Sequence, residues 1–270
     1  MQWWKYDYRN KMKTLSLSER HNYILETLRQ QGSVSVVDLA NQLKVSSVTI
    51  RKDLTLLEEK EMLYRTHGSA SPVNPQTQEV EVREKEKIHI DEKRRIAMAA
   101  AQLIEPDDSI IIASGSTVQM LGDFIQPQGH LTVVTSSLKT AVQLNSMDRV
   151  DVIQLGGNVR KNSLSVVGVY TSQFFEQITC SKLFLGVDGI DLDFGITTTN
   201  MMEASLNRVM IQTAQKTIVL ADSSKFGRRG FSKIVDTKDV DHIITDSHIS
   251  PSTAHAIEEM GIELTIVPVH

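Results

Sequence analysis

The 270-residue chain contains a single cysteine, Cys180, which excludes an internal disulfide bond. One free thiol fits a reducing compartment, and we expect a cytoplasmic protein. Cys180 adjoins a strand-like segment, so we expect it to be buried as a small apolar residue rather than reactive. No apolar run approaches the roughly twenty residues that a membrane-spanning helix needs. We therefore expect no membrane partner.

The eight histidines are scattered and do not have the spacing of metal ligands. The sequence thus predicts neither a metal site nor a cofactor. The net charge of −4 argues against a protein that coats nucleic acid indiscriminately. It does not exclude a small cationic surface, because a charge acts mainly within a Debye length of about 8–10 Å.

Residues 1–14 lack the apolar stretch and cleavage site of a signal peptide. We expect them to be a disordered extension, or to lie upstream of a true start at Met12. The rest of the chain is predicted to divide into a DNA-binding domain over 15–70, a linker over 71–91 and an α/β domain over 92–270.

Residues 46–57 are predicted to form a helix with one apolar face and one basic face. On a 3.6-residue wheel, Ile50 shares a side with two leucines, whereas Arg51 and Lys52 lie roughly opposite. Ser46 is positioned to cap this helix by accepting a hydrogen bond from a free N–H of the first turn. In most amphipathic helices of this kind the basic face only contacts water. The neighbouring segments therefore decide whether this helix is interpreted as a DNA-binding one.

Those segments complete a winged helix-turn-helix. Residues 37–43 read as a short amphipathic helix, separated from the next helix by a tight turn at 44–45. An earlier helix opens at Ser18 and is expected to end at Gly32. Residues 62–68 read as a hairpin limb, which beside the second helix would be a wing.

One set of residues in the first domain keeps the spacing of a known DNA-binding motif: Arg20, Ile24, Leu28, Ser46, Thr49, Ile50, Arg51, Lys52, Asp53 and Leu54. With these residues the chain resembles the DeoR family of bacterial transcriptional regulators. The end of the domain matches as well, over 66–70, although the family usually has glycine at the position of Ser69. The similarity continues through the second domain.

The predicted partner of the first domain is double-stranded operator DNA. Arginine can bridge a guanine through two hydrogen bonds, while lysine and hydroxyl groups more often fix register on the backbone. One short helix reads few base pairs, so we expect a homo-oligomer, a dimer or tetramer, on repeated half-sites. The predicted DNA contacts are Ser47, Thr49, Arg51, Lys52, Thr55 and Arg65.

The linker begins with residues typical of turns and continues as a strongly charged run from Glu79 to Arg95. A run of this kind is usually a solvated helix face. Its closeness to the wing leaves a role in coupling the two domains open.

Beyond residue 92, short apolar runs alternate with helical segments. This pattern predicts a Rossmann-like, mostly parallel α/β sheet that is covered on both faces. The predicted strands are 109–113, 131–135, 152–155, 183–187, 217–221, 242–245 and 264–267.

Polar residues and glycines gather where these strands end. Residues 114–117 pass from a strand through glycine into a helix, which points free N–H groups and hydroxyls at one place and suits an anion. Each such segment alone is more often an ordinary loop, but jointly they predict a site for a small phosphorylated polyol. The candidates from the strand ends are Ser114, Gly115, Ser116, Thr117, Ser136, Gly156, Gly157, Asp188, Thr198 and Lys225.

The resemblance adds Glu203 and Arg208 to the candidate effector site. In DeoR-type regulators the second domain is similar to sugar-phosphate isomerases and CoA transferases, and it senses phosphorylated sugars or related intermediates. The family usually has asparagine at the position of Ser136 and lysine at that of Asn207. Arg208 can substitute for the missing charge, but it lies one residue further round the helix. The alternatives are an effector that carries less phosphate charge than is typical, or one that is bound differently.

The resemblance implies a repressor of a carbohydrate-catabolic operon that is relieved by a phosphorylated intermediate. The alternative is an isomerase-like enzyme with an attached DNA-binding domain, for which Asp188 and Glu203 would be the candidate base and acid. Acidic residues at strand ends also orient sugar hydroxyls in binding proteins, and the attached DNA-binding domain favours sensing. We therefore assign no catalytic residue. A scaffold without any ligand is the remaining alternative.

Overall fold

The computed structural model describes residues 15–31, 33–60, 62–66, 68–72 and 79–269. The predicted extension 1–14, the helix end at Gly32 and residues 73–78 of the predicted linker lie outside these ranges. Among the described residues, no helix has the length and apolar character needed to cross a membrane.

The first domain consists of three helices and a small antiparallel sheet in which β3 lies between β1 and β2. This is the predicted winged helix-turn-helix, with one additional short strand before α2. Its elements are α1 (Leu17–Gln31), β1 (Val34–Ser35), α2 (Val36–Leu43), α3 (Ser47–Glu59), β2 (Leu63–Thr66) and β3 (Ser69–Pro72).

The predicted apolar face of α3 is buried. Ile50, Leu54 and Leu57 are each at most 1% exposed and pack with Ile24 of α1 in one core. The predicted cap is confirmed, because the Ser46 hydroxyl accepts a hydrogen bond from the backbone N–H of Thr49 over 3.1 Å. The position of α3, the helix that reads DNA in such domains, is therefore fixed by its buried apolar face and by the cap at its first turn.

A buried ion pair joins α1 to α3. Asp53 lies at the margin of the apolar face in the sequence pattern, yet the structure buries it to 2% exposure. The guanidinium of Arg20 donates two hydrogen bonds to it, from Nε to Oδ2 over 2.7 Å and from the second nitrogen to Oδ1 over 2.9 Å. This two-point geometry fixes the angle between the helices as well as their contact.

The second domain follows as one α/β unit. Its helices are α4 (Val82–Lys85), α5 (Ile90–Ala101), α6 (Ser116–Gln119), α7 (Leu138–Leu144), α8 (Val169–Phe174), α9 (Met201–Thr213) and α10 (Pro251–Glu259). Its strands are β4 (Ser109–Ile112), β5 (Leu131–Thr135), β6 (Val150–Gln154), β7 (Asn158–Arg160), β8 (Ser165–Val167), β9 (Cys180–Gly186), β10 (Gly189–Asp191), β11 (Gly195–Thr198), β12 (Ala214–Leu220), β13 (Ser232–Val235), β14 (His242–Asp246) and β15 (Glu263–Val267).

Seven strands form one parallel sheet in the order β15-β14-β12-β9-β4-β5-β6. All seven predicted strands are present in it. Ile110 and Ile112 pack in the core on one face, while Ile111 between them packs in the core on the other. Successive strand residues point to opposite faces, so this division confirms that both faces are covered.

Two small sheets lie outside the predicted pattern. Strands β10, β11 and β13 form an antiparallel sheet, and β7 pairs with β8 in a hairpin. Cys180 begins β9 and is 2% exposed, as expected. Burial raises the pKa of its thiol to about 11, which leaves very little reactive thiolate at neutral pH.

Residues 79–91, which the sequence placed in the linker, lie against the second domain. We refer to them as the strap. Val82 is 3% exposed, and its N–H donates a hydrogen bond of 2.7 Å to the carbonyl of Asn162. The charged character of the segment predicts solvation, and most of its residues are exposed, but Val82 anchors it to the second domain.

Candidate functional site

The predicted DNA-reading surface is the exposed face of α3. Arg51 and Lys52 are exposed, and the hydroxyl residues Ser47 and Thr49 are partly exposed near the first turn of the helix. Val48 lies between them and is 58% exposed; the helical wheel places it on this face, although it is not among the predicted DNA contacts. Such a side chain suits contact with a thymine methyl group in the major groove. The geometry therefore offers cationic, hydroxyl and apolar groups at one helix end.

Arg65 and Thr55 form a pair at the junction of the wing and α3. The Arg65 guanidinium donates to the Thr55 hydroxyl over 2.7 Å and lies 3.7 Å from Oε2 of Glu58. The Thr55 hydroxyl in turn donates to the carbonyl of Arg51 over 2.9 Å. Thr55 is thus occupied in orienting Arg65, and Arg65 keeps further N–H groups for a phosphate.

The predicted effector residues meet at the carboxyl ends of the central strands, as expected for a parallel sheet. Eight of the twelve line one inner pocket. Four of them, residues 114–117, form the turn after β4 and the start of α6, and the others are Asp188, Thr198, Glu203 and Lys225. Gly115 has φ +136°, and a Cβ there would lie 3.6 Å from the Cα of Gly186, so the turn needs glycine chiefly for its backbone angle.

The inner pocket has a volume of about 50 Å³ and adjoins an outer cavity of about 840 Å³. Lys85, Asp188 and Lys225 line both. Lys85 belongs to the strap, and its Nζ lies 2.6 Å from Oδ1 of Asp188. This ion pair therefore stands at the boundary between the two spaces.

Asp188 is surrounded by donors. Its Oδ2 accepts hydrogen bonds from the Thr198 hydroxyl over 3.0 Å, from the Thr199 N–H over 3.0 Å and from the Thr199 hydroxyl over 3.1 Å. Burial alone would raise the pKa of Asp188, but the cations of Lys85 and Lys225 and these bonds hold it well below its usual range. A carboxylate held this firmly in its charged form is a poor general base.

Six charged side chains interact across this region. Burial lowers the pKa of Lys225, while the carboxylates of Asp222 and Asp188 oppose that shift. Lys225 donates no side-chain hydrogen bond to any residue that the structure describes. Burial also lowers the pKa of Lys93, to about 8, against the attraction of Asp222. The cations are Lys85, Lys93, Lys225 and Arg228, and the carboxylates are Asp188 and Asp222.

Four predicted effector residues lie elsewhere. Ser136 is 2% exposed, and its carbonyl accepts a hydrogen bond from the N–H of Val166, which connects its loop to β8. Gly156 and Gly157 follow β6 outside the inner pocket. Arg208 donates to the carbonyl of Lys233 over 2.7 Å. Consecutive helix residues are turned by about 100°, and accordingly it is the neighbour, Asn207, that faces the pocket.

Several pocket residues carried no recognisable signal. Glu79 and Lys85 come from the strap, and Asn162 comes from the turn after β7. Glu79 forms an ion pair with Arg160, whose other nitrogen lies 2.7 Å from Oε1 of Glu203. The only hint in the sequence was the charged run from Glu79 onward, because a run of charges does not reveal which of its members is buried.

Comparison with known proteins decides the family. A model described as the DeoR-like helix-turn-helix domain matches residues 20–76, and one described as the DeoR C terminal sensor domain matches residues 88–247. The chain belongs to the DeoR family. The predicted family is thereby confirmed, as is the predicted fold, a winged helix-turn-helix joined to a parallel α/β sensor domain.

Relatives of this DeoR-family protein are similar over nearly their whole length. A protein of Escherichia coli O157:H7 named as an aga operon transcriptional repressor is 37% identical over 93% of this chain and 94% of its own. The glycerol-3-phosphate regulon repressor of Escherichia coli K12 is 28% identical over 92% and 98%. These relatives are transcriptional regulators and not enzymes, so the predicted function, a DNA-binding transcriptional repressor of a catabolic operon, is confirmed at the level of the family.

The solved structures that match are more distant in sequence. A sor operon regulator from Shigella flexneri is 13% identical with a TM-score of 0.42, over 75% of this chain and 97% of its own. Ribose 5-phosphate isomerase A from Neisseria gonorrhoeae is 18% identical with a TM-score of 0.37, over 51% and 53%.

Proposed function

We propose that this DeoR-family regulator represses a carbohydrate-catabolic operon in the cytoplasm and releases it when a phosphorylated sugar or related intermediate binds the sensor domain. The ligand would lie between residues 114–117 and Lys225. The observation that carries this proposal is Lys225, a partly buried residue whose ammonium group donates no hydrogen bond to a described residue and which lines a pocket rich in hydroxyls. A cation in that setting suits a phosphate.

The chemistry of the pocket supports an ester of a polyol rather than a plain anion. Ser114, Ser116 and Thr117 bring hydroxyls that can both donate and accept, and Asn207 adds an amide. The relatives point the same way, since one is named for glycerol 3-phosphate and another for the aga operon. Oligomerisation belongs to the same proposal. One recognition helix spans few base pairs, so two or four copies would bind repeated half-sites.

Replacing Lys225 by methionine tests the effector site. We expect the substitution to weaken binding of a phosphorylated effector by roughly 10- to 100-fold, because a charge-assisted hydrogen bond contributes about 1.5–3 kcal/mol. A thermal-shift screen of triose, pentose and hexose phosphates with glycerol 3-phosphate would first identify a ligand that stabilises the wild-type protein. Titration calorimetry then compares the variants. Lys238→Met removes an exposed lysine of the same domain and should bind like wild type.

The proposal fails if none of these esters stabilises the wild-type protein. It also fails if Lys225→Met binds the identified ester as tightly as Lys238→Met does.

Replacing Arg51 by alanine tests the DNA-reading surface. We expect a loss of about 1–3 kcal/mol in operator binding, together with relaxed sequence preference, if Arg51 contacts a base edge. Gel-shift titrations with the promoter of the protein's own gene cluster and with random DNA measure both effects. Lys238→Ala makes the same change in net charge on the sensor domain and should leave the affinity unchanged. If the two variants bind the operator with equal affinity, Arg51 does not contact DNA.

A further inference from the structure

The strap supplies a side chain to the pocket that the function described so far does not use. We propose that Lys85 binds the anionic group of the effector by exchanging its partner Asp188 for the ligand, so that the strap reports whether the pocket is occupied. This inference rests on the proposed sugar-phosphate site and adds a binding residue to it. It also gives the segment between the two domains a direct part in sensing.

Lys85 lies where a ligand would enter the inner pocket. Its ion pair with Asp188 lies where the inner pocket meets the outer cavity, and both side chains remain partly accessible, at 24% and 15%. The inner pocket of about 50 Å³ is far below the roughly 300 Å³ that small-molecule sites begin at. A sugar phosphate that reaches residues 114–117 therefore needs more room than the inner pocket has, and the Lys85–Asp188 ion pair lies at the boundary where that room would open. The ammonium group then meets the ligand's anionic group directly.

Asp188 can lose Lys85 without being left unpaired. Its Oδ2 holds three hydrogen bonds from Thr198 and Thr199 that do not involve the strap. The charge of Lys225 also stabilises the carboxylate. Only Oδ1 gives up a partner, and a bound polyol brings hydroxyl donors to replace it. The exchange thus replaces one ion pair by another instead of breaking a buried one, which would be costly.

The strap is tied to the pocket at further points. The buried ammonium group of Lys93 donates to the carbonyls of Lys85 and Ile88, over 2.5 and 2.6 Å. At the other end, Glu79 pairs with Arg160, which also contacts the pocket residue Glu203. Ligand binding therefore acts on the strap at Lys85 and, through Glu203 and Arg160, at Glu79. Glu79 is the first described residue after the wing, which ends at Pro72.

Inorganic phosphate is the probe for this inference, because it carries the anionic group without the sugar. Calorimetric titration of the full chain compares wild type with Lys85→Met and Lys87→Met. Lys87 is the matched control: it lies on the same strap, its side chain is 68% exposed, and it pairs with Glu84 three residues away. We expect Lys85→Met to weaken phosphate binding by roughly 10- to 100-fold, the effect of one charge-assisted hydrogen bond. Lys87→Met should bind like wild type.

A second measurement does not depend on the folding of a variant. Hydrogen exchange on the wild-type protein, with and without millimolar phosphate, should show altered protection of the strap amides and no change in β15, which lines neither the inner pocket nor the outer cavity. Lys85→Arg keeps the charge and should recover most of the affinity. Unchanged strap exchange, or equal affinity of Lys85→Met and Lys87→Met, overturns the inference. If Lys225→Met has lost binding in the same titrations, the proposed site stands and only the role of Lys85 falls. If wild type binds an ester of the thermal-shift screen but no phosphate, the same three proteins are compared with that ester; if it binds neither, both fall.

Discussion

Replacing Asp53 by alanine is expected to lower the free energy of unfolding of the DNA-binding domain by about 3 kcal/mol, near the lower end for removing one partner of a buried ion pair. The Asp53 side chain is 2% exposed and that of Arg20 is 14% exposed. Without the carboxylate, the guanidinium would stay largely desolvated between α1 and α3, with the carbonyl of Leu15 as its remaining hydrogen-bond partner. The substitution therefore loses the two bonds and leaves a charge poorly compensated.

Guanidinium chloride unfolding of the full chain measures this effect, and hydrogen exchange of the α3 amides assigns it to the first domain. The control is Glu59→Ala, since Glu59 is the exposed last residue of the same helix and should change stability by no more than about 0.5 kcal/mol. Asp53→Asn keeps the shape and one acceptor, so it should fall between the two. Equal stability of Asp53→Ala and Glu59→Ala would show that the pair sets geometry without stabilising the domain.

The case of Asp53 shows what an amphipathic pattern can and cannot establish. The pattern located the buried face of α3 correctly, because Ile50, Leu54 and Leu57 recur at helical spacing. It left Asp53 at the margin, since a carboxylate by itself indicates solvent. The partner, Arg20, is 33 residues away, and no local pattern connects two positions so far apart.

The sheet was predictable for a similar reason. Strands such as β4, with three consecutive isoleucines, have a strong local signal because both faces are buried. Strands β10 and β7 have only three residues each, and they pair with segments that give no alternation to recognise. Short edge elements of this kind are fixed by tertiary contacts rather than by propensity.

The location of the effector site could be predicted from the sequence, but several of the residues that line it could not. Parallel strands place their carboxyl ends at one edge, so residues 114–117 and Asp188 were expected to meet, and they do. Lys85 was not expected, because it lies 103 residues from Asp188 in a charged segment without periodicity. Arg208 was expected for its charge, but the direction of its side chain depends on its place around α9.

Gly157→Ala is expected to destabilise the sensor domain by about 3 kcal/mol, through backbone strain and overpacking together. The sequence made Gly157 a candidate effector residue. The structure gives a different reason: Gly157 has φ +152°, and a Cβ at this position would collide with the Thr171 hydroxyl and lie 2.7 Å from the carbonyl of Val167. Val167 belongs to β8 and cannot retreat without breaking its pairing with β7.

The preceding glycine provides a matched control for that prediction. A Cβ on Gly156 would meet no atom within 4 Å, and its backbone does not require glycine, so Gly156→Ala should change stability by only a few tenths of a kcal/mol. Thermal unfolding followed by circular dichroism compares the two variants, and titration with the identified effector separates stability from binding. If Gly157→Ala melts with wild type but binds the effector weakly, then the glycine serves the ligand after all and the packing explanation is wrong.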